Sequence, residues 1–521
     1  MSFRGEQHNK KNGTTYIYEA TSVWNAEKGR SEQRRVYIGK KDPATGAFVP
    51  NDTYFRLHGE SEGAKTAAGA KPVAVDASYD FGPVALMRHA SDVTGLTGVL
   101  RSCFPKDWEE ILACAMHCCA ENEPLYLCKP WAENSYGVAA PSSQRISELL
   151  RGLDEGARMS FYRKWAALRS DLEYIALDIT SVSSWSELLG FVEPGYNRDH
   201  EPLPVVNIAM LFGEKSKLPV FARPVPGSVR DVSTLGNMKE FVKDLSLARM
   251  RFAMDKDFYS RRNVESLLRD RIKFATGVPF TVAVARRLAQ GDSGTIASAA
   301  NAIRVEGSVL FAATHTARVE GRRVYYHVYF DEGRRTDDRR HLLQKVLDYE
   351  ERLQEGTMSV DDPVSRHYFS FRKTKGGTYN MRRKADVIDR EQELSGFFVI
   401  LTNHYRDPRE VLEIYRNKDA VEKSFDDMKN ALDMDRLRIH SDRAMEGRIF
   451  VGFISLVIMS HIREMMRTHD VYGKFSYNEL MAELKKLKTV VFKDGRKMLT
   501  ELTKNHKFIF NAMEMPEPTA S

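Results

Sequence analysis

Two apolar runs that each lead into an aspartate constrain this chain more than any other feature. Leu172-Glu173-Tyr174-Ile175-Ala176-Leu177 runs into Asp178, and Arg251-Phe252-Ala253-Met254 runs into Asp255. Short apolar runs of this kind read as buried strands. A carboxylate at the end of a buried strand is costly unless something compensates it. If the two strands are neighbours, the carboxylates repel unless a cation sits between them. A third acid, Glu422, falls in a helix expected over 408–432. At about 3.6 residues per turn, Tyr415, Lys418, Glu422 and Lys429 share one stripe of that helix. Ile414, Val421, Phe425, Met428 and Leu432 share a neighbouring stripe that can pack on a sheet. Taken alone, the polar stripe is better read as a solvated face, whose Glu–Lys pairs contribute a few tenths of a kcal/mol. Two strand-end aspartates and a helical glutamate are the hard oxygen donors that Mg²⁺ prefers. If they converge, the chain cuts or joins phosphodiesters.

A chain of 521 residues exceeds one ordinary core, so several domains are expected. The formal net charge of +7, with Lys and Arg spread along the chain, suits a polyanionic partner such as nucleic acid. Cys103, Cys114, Cys118, Cys119 and Cys128 are odd in number and clustered, which argues against a disulfide framework and for a reducing compartment. Cys114, His117 and Cys118 could share a helix face as zinc ligands. Their spacing fits no common zinc module, and small buried side chains are the preferred reading. The polar start, Met1 to His8, has no signal-peptide pattern. The most apolar stretch, Ile449 to Ser460, is too short to span a bilayer and reads as a buried core helix.

Along the chain, Thr14 to Trp24 and Gln33 to Lys40 read as a β-hairpin, with a further turn at Asp42 to Gly46. Residues 1–58 are therefore expected to form an N-terminal β-hairpin domain, and 59–82, rich in Gly, Ala, Ser and Lys, a linker. Residues 83–170 have helical spacing and read as a bundle expected to contact DNA. The period then changes to that of strands, and 171–277 reads as a mixed α/β layer. Residues 278–395 interrupt it with strands at Val309–Ala313, Val324–Phe330 and His367–Arg372 and one charged helix, Asp337–Glu355. The core resumes over 396–470, beginning with the apolar strand Gly396–Asn403, and 471–521 reads as a basic helical region.

Three segments resemble insertion-sequence transposases of the DDE superfamily, in the branch marked by a Tyr-Arg-Glu-Lys helix. The first is Leu177-Asp178-Ile179-Thr180-Ser181-Val182-Ser183-Ser184. The second is Met254-Asp255-Lys256-Asp257-Phe258-Tyr259-Ser260-Arg261-Arg262-Asn263. The third is Tyr415-Arg416-Asn417-Lys418-Asp419-Ala420-Val421-Glu422-Lys423-Ser424-Phe425-Asp426-Asp427-Met428-Lys429. The segments Gly195–His200 and Leu203–Ile208 and the start, Thr15-Tyr16-Ile17-Tyr18-Glu19 with Arg35-Val36-Tyr37-Ile38-Gly39-Lys40, are also similar, so the likeness spans roughly residues 14–465.

The resemblance implies an α/β, ribonuclease-H-like catalytic core interrupted by a mostly β insertion domain. It implies Asp178, Asp255 and Glu422 as the catalytic and metal-holding triad for Mg²⁺, two ions being expected and Mn²⁺ substituting. Tyr415, Lys418 and Lys429, with neighbouring Arg416, would contact DNA near the cleaved phosphate. The implied activity is strand cleavage and strand transfer at terminal inverted repeats. The implied partners are double-stranded repeat and target DNA and a second copy of the chain on paired ends, with no membrane, in a prokaryotic cytoplasm at the nucleoid. A non-catalytic DNA-binding descendant and a ribonuclease-H-like nuclease are the alternatives. Two positions depart from the family pattern: Lys418 stands where the signature arginine is expected, and Asp257 where glycine is usual. Some relatives hold a flipped base on an aromatic of the insertion domain. Here Tyr325, Tyr326 and Tyr329 are the candidates, with strand-face packing the preferred reading.

Overall fold

Alternating polar and apolar residues make strands of Thr14–Asn25 and Arg30–Lys41 near the start of the chain. The computed structural model describes residues 2–10, 13–25, 30–43, 45–58, 74–121, 123–169, 174–184, 189–195, 203–228, 251–373, 379–416 and 441–518, with isolated positions between 235 and 245 and between 418 and 439. It divides into two compact units, Met1–Asp76 with Phe492–Arg496, and the remainder. In the first unit, β1 (Ser2–Asn9), β2 (Thr14–Asn25), β3 (Arg30–Lys41) and β4 (Phe48–Pro50) form one antiparallel sheet in chain order. The expected hairpin is its middle. The sheet is wider than that because β1 and β4 flank it. The strand β1 escaped the pattern because it is a polar edge strand, and charged residues are what a solvated edge favours. A short helix, Asp52–His58, packs beside β3 and β4, with the Tyr54 ring 5.3 Å from that of Phe48.

The strand β5 (Val75–Asp80), which lies in the second unit from Ala77 onward, occupies the end of the expected linker, whose residues 59–73 lie outside the described ones. Short helices follow at Gly82–Val93, Leu96–Cys103, Trp108–Glu121, Cys128–Glu133, Ser143–Gly152 and Glu155–Ala167. They surround the helix Asp442–Thr468, which is apolar all round and buries seventeen of its residues. It is long and apolar enough to cross a membrane, but 72% of its most apolar window is buried inside the protein, as a core helix requires. Phe450 and Phe453 meet Phe161 and Tyr162 edge-on at 5.1–6.3 Å. Each buried aromatic of this kind contributes roughly 1.5–3 kcal/mol. The five cysteines are free. Four of them are buried, Cys119 Sγ donates to the Ser455 carbonyl at 3.2 Å, and His117 Nε2 lies 3.3 Å from the Pro124 carbonyl. They behave as small core side chains, as expected.

The main sheet is built from β6 (Tyr174–Ser183), β7 (Val205–Gly213), β8 (Pro219–Pro226), β9 (Arg251–Met254), β10 (Lys273–Gly277), β11 (Ala302–Val305), β12 (Ser308–Val319), β13 (Arg322–Phe330) and a late strand that follows the hairpin β14 (Phe369–Lys373) and β15 (Tyr379–Arg383), namely β16 (Phe397–Thr402). Its order is β11-β12-β13-β16-β10-β9-β6-β7-β8. The strands β6, β7 and β8 form an antiparallel meander, and β9 and β10 then run parallel to β6. Trp165 Nε1 donates to the Pro219 carbonyl at 2.8 Å and Tyr162 Oη to the Ala222 carbonyl at 3.1 Å, which pins the helical bundle to β8.

The segment 278–395 is mixed rather than mostly β. Beside its strands it carries helices at Ala283–Asp292, Glu332–Gln354, Pro363–Tyr368 and Ala385–Glu393. Its first three strands lengthen the main sheet instead of forming a sheet of their own. The strand β13 can pair along β16 because its Val324, Tyr326, Val328, Tyr329 and Phe330 are apolar enough to be buried there. Tyr329 and Tyr326 are buried packing residues, and Tyr329 Oη donates to the Pro408 carbonyl at 2.7 Å. The C-terminal region is likewise mixed, with β17 (Lys488–Phe492) and β18 (Lys497–Leu499) between the helices Tyr477–Leu484 and Lys504–Ala512.

His327, in the middle of β13, is fully buried and neutral. Its Nε2–H donates to the Tyr405 carbonyl at 3.2 Å, and its Nδ1 then accepts from Thr314 Oγ1 at 2.9 Å. Burial pushes its pKa down to about 4. The unfolded imidazole titrates near 6.5, so the unfolded state binds the extra proton first. Stability is complete above that value and is lost as pH falls from about 6.5 toward 4, by about 2 kcal/mol at pH 5. Urea unfolding at pH 7.5 and pH 5 is expected to show that loss in the wild type and a smaller one in His327→Leu. Equal losses would show that another group titrates.

Candidate active site

The two aspartates are brought together by register. In the parallel ladder between β6 and β9, Leu177 pairs with Met254. Asp178 is the next residue inside β6, not at its end as expected, and Asp255 is the first residue past β9, so the register brings them side by side at about one strand spacing, about 4.8 Å. The ladder between β9 and β10 pairs Met254 with Thr276, which puts Gly277 beside Asp255. Both carboxylates turn back onto the main chain. Asp178 Oδ1 accepts from the Ile179 N–H at 2.8 Å, and Asp255 Oδ1 from the Lys256 N–H at 2.7 Å. Asp178 is only 8% exposed. The backbone of Asp255 is also held, since Thr276 Oγ1 donates to its carbonyl at 3.3 Å.

The same face is covered by the helix Pro408–Arg416. Asp407 starts it by accepting from the Arg409 N–H at 2.8 Å. Val411 and Leu412 pack it on Ala275, Ile400 and Tyr329. This docking carries Tyr415 to the aspartates, where its Oη donates to Asp255 Oδ1 at 3.0 Å. Lys418 follows in a turn whose N–H bonds the Tyr415 carbonyl at 3.2 Å. Its Nζ lies 3.8 Å from Asp255 Oδ1 and 5.4 Å from the centre of the Tyr415 ring. Arg416 points elsewhere, with Nη1 3.5 Å from Glu306 Oε2. Lys429 is described and half-buried, and Glu422 lies outside the described residues. Asp178, Asp255, Tyr415 and Lys418 are thus gathered at one place.

Asp257 is exposed in the short helical turn Lys256–Phe258 and has no left-handed backbone, so the turn makes no demand for glycine. The glycine that matters is Gly277. A Cβ there would lie 2.7 Å from Tyr415 Oη and 3.1 Å from Lys256 Cβ. Sequence reading passed over it, although a glycine closing an apolar strand is a known sign of close approach. Gly277→Ala is expected to displace the Tyr415 hydroxyl from Asp255. Because that hydroxyl is the tip of a side chain that can swing, the stability cost is about 1 kcal/mol. The readout is Tyr415 itself: Gly277→Ala and Tyr415→Phe should impair DNA cleavage to the same degree, and the double variant no further. Additive losses would show that the two residues act separately.

A cavity of about 430 Å³ opens beside Asp255. Its walls include Lys256, Arg334, Phe398, Tyr415, Arg416 and Lys418. The donor set fits a hard divalent cation, since two adjacent carboxylates demand positive charge and carboxylate oxygens are the donors such an ion prefers. Tyr415 and Lys418 reach the same carboxylate, as a phosphate-facing rim on a metal-holding acid would.

Residues 170–458 match the family model described as a transposase DDE domain. The matched stretch contains Asp178, Asp255, Tyr415, Lys418 and Glu422. The piggyBac transposase in a synaptic complex with hairpin DNA, seen by cryo-EM, is similar over 83% of this chain and 73% of that one, at 10% identity and a TM-score of 0.35. No curated protein matches the chain. Since the family match covers more than half of its length, the chain belongs to the transposase DDE domain family.

Proposed function

We propose that the chain is the DNA transposase of an insertion sequence, which binds terminal inverted repeats and carries out strand cleavage and strand transfer. The observation that carries this reading is the in-register pair Asp178–Asp255 with Tyr415 and Lys418 on it. The meander of β6–β8 followed by parallel β9 and β10 supports a ribonuclease-H-like core, and the helical segment returning after β16 supports an interrupted one.

In this reading Asp178, Asp255 and Glu422 hold Mg²⁺, as two ions, with Mn²⁺ as a substitute. When bound, the metal polarises the phosphodiester and lowers the pKa of the attacking oxygen. The protein's own contribution is positioning. Tyr415 fixes the orientation of Asp255, and Gly277 leaves it the room to do so. Lys418 lies 3.8 Å from Asp255 and turns to the phosphate once the carboxylate has another cation. It does so as a point charge, without the two-pronged grip an arginine would have. Arg416 and Lys429 extend the basic rim along the DNA backbone. Handling two ends together calls for a homodimer, and the site of action is the nucleoid in the cytoplasm.

The test is incubation of the protein with duplex DNA ending in the element's own repeat and Mg²⁺ or Mn²⁺. A nick leaving a 3′-hydroxyl at the repeat end, abolished by chelation, is the expected product. Binding without nicking would favour the non-catalytic descendant. Nicking indifferent to the end sequence would favour a general nuclease.

A further inference from the structure

At the opposite end of the strands from Asp255, the same sheet face carries a row of cations. Arg251 opens β9 and pairs with Lys273 on β10. Lys273 Nζ donates to His404 Nε2 at 2.6 Å, just past β16. The Tyr325–Thr402 pair sets β13 beside β16, so Arg323 stands level with His404, and Arg323 pairs directly with Arg318 on β12. Four strand spacings of about 4.8 Å make the row about 19 Å long. Four residues of rise set it about 13 Å from Asp255. The Arg251 guanidinium lies 5.8 Å from the centre of the Tyr174 ring, and Tyr174 Oη is 3.0 Å from His404 Nδ1, so these side chains share one surface.

Two like charges directly opposite in an antiparallel ladder destabilise it. Arg318 and Arg323 are both exposed, and among the described residues neither forms an ion pair. Lys273 binds a histidine rather than an acid. Burial, and after it Lys273 and Arg251, push the pKa of His404 down to about 4, so it stays neutral between these two cations. Such a row costs stability in the free protein and is satisfied by a partner bearing closely spaced negative charges.

We propose that Arg251, Lys273, Arg323 and Arg318 form a phosphate track for duplex DNA, separate from the contacts at the carboxylates and indifferent to base sequence. The inference rests on DNA as the substrate. It adds where the duplex continues past the reacting phosphate, across the sheet toward β12.

The test uses the full-length protein and a duplex of random sequence in EDTA, with affinity measured between 50 and 200 mM salt. Removing one cation that neutralises a phosphate lowers the slope of log affinity against log salt by about 0.9. Arg318→Gln/Arg323→Gln is expected to lower it by about 1.8, so that the drop in affinity across that salt range is about twelvefold smaller than in the wild type. The Arg318→Lys/Arg323→Lys protein should keep the wild-type slope. Without DNA, the glutamine variant should melt at or above the wild-type temperature, which guards against misfolding as the cause. An unchanged slope in the glutamine variant, or an equal decrease in the lysine variant, overturns the track alone. Failure of the wild type to bind any duplex overturns both the track and the transposase reading.

Discussion

Asp255→Ala is expected to lower metal-dependent nicking of repeat-ended DNA by about a thousandfold or more, and Asp178→Ala by a similar factor. A thousandfold corresponds to about 4 kcal/mol of transition-state stabilisation, within what a bound metal contributes to phosphoryl chemistry. The two variants should also share a second signature. Adjacent carboxylates repel in the absence of a metal, so Asp178→Asn should match or exceed the wild type in melting temperature in EDTA. Adding Mg²⁺ should raise the melting point of the wild type and leave that of the variant nearly unmoved. Full cleavage by Asp255→Ala, or equal stabilisation of both proteins by Mg²⁺, would remove these residues from the centre.

Gly447→Ala is expected to damage the fold itself. Gly447 lies in the first turns of the Asp442–Thr468 helix, where it crosses the end of the helix Ser143–Gly152. A Cβ at this position would lie 2.2 Å from the Leu150 carbonyl oxygen, 2.8 Å from its carbon and 2.9 Å from its Cα. All three atoms are backbone, so relief requires the helices to separate along a well-packed interface. The expected cost is about 3 kcal/mol, at the upper end for overpacking. Alanine's better helix propensity returns no more than about 1 kcal/mol. Urea unfolding measures the difference. A variant as stable as the wild type would mean that the two helices do not meet at this glycine. Gly277 differs because its nearest neighbour is a side-chain tip and the Lys256 backbone nitrogen stands off at 3.1 Å, so the expected loss there falls on the chemistry instead.

Much of the architecture was legible because its signals are local. The strand that leads into Asp255, the apolar strand Phe397–Thr402 and the buried helix over Ile449–Ser460 stand where their apolar periods place them, whereas the strand through Asp178 runs on to Ser183, so that this aspartate lies inside it and not at its end. Ser2–Asn9 was not legible, since a polar edge strand has no alternation to show. Nor was the union of β11–β13 with the main sheet, because it depends on β13 finding β16 across the intervening helices and a hairpin. Lys418 was read as a DNA contact from its stripe, and the fold places it against Asp255, a partner that helical spacing cannot reveal.

Composition and period determined by themselves which segments are buried and that an acid follows the apolar strand Arg251–Met254. The tertiary structure alone decided that Asp178 and Asp255 share a register, that Tyr415 reaches Asp255 through the space left by Gly277, and that Arg318 faces Arg323. Burial patterns are written residue by residue along the chain, whereas register between distant strands is settled only when the whole sheet closes its hydrogen bonds.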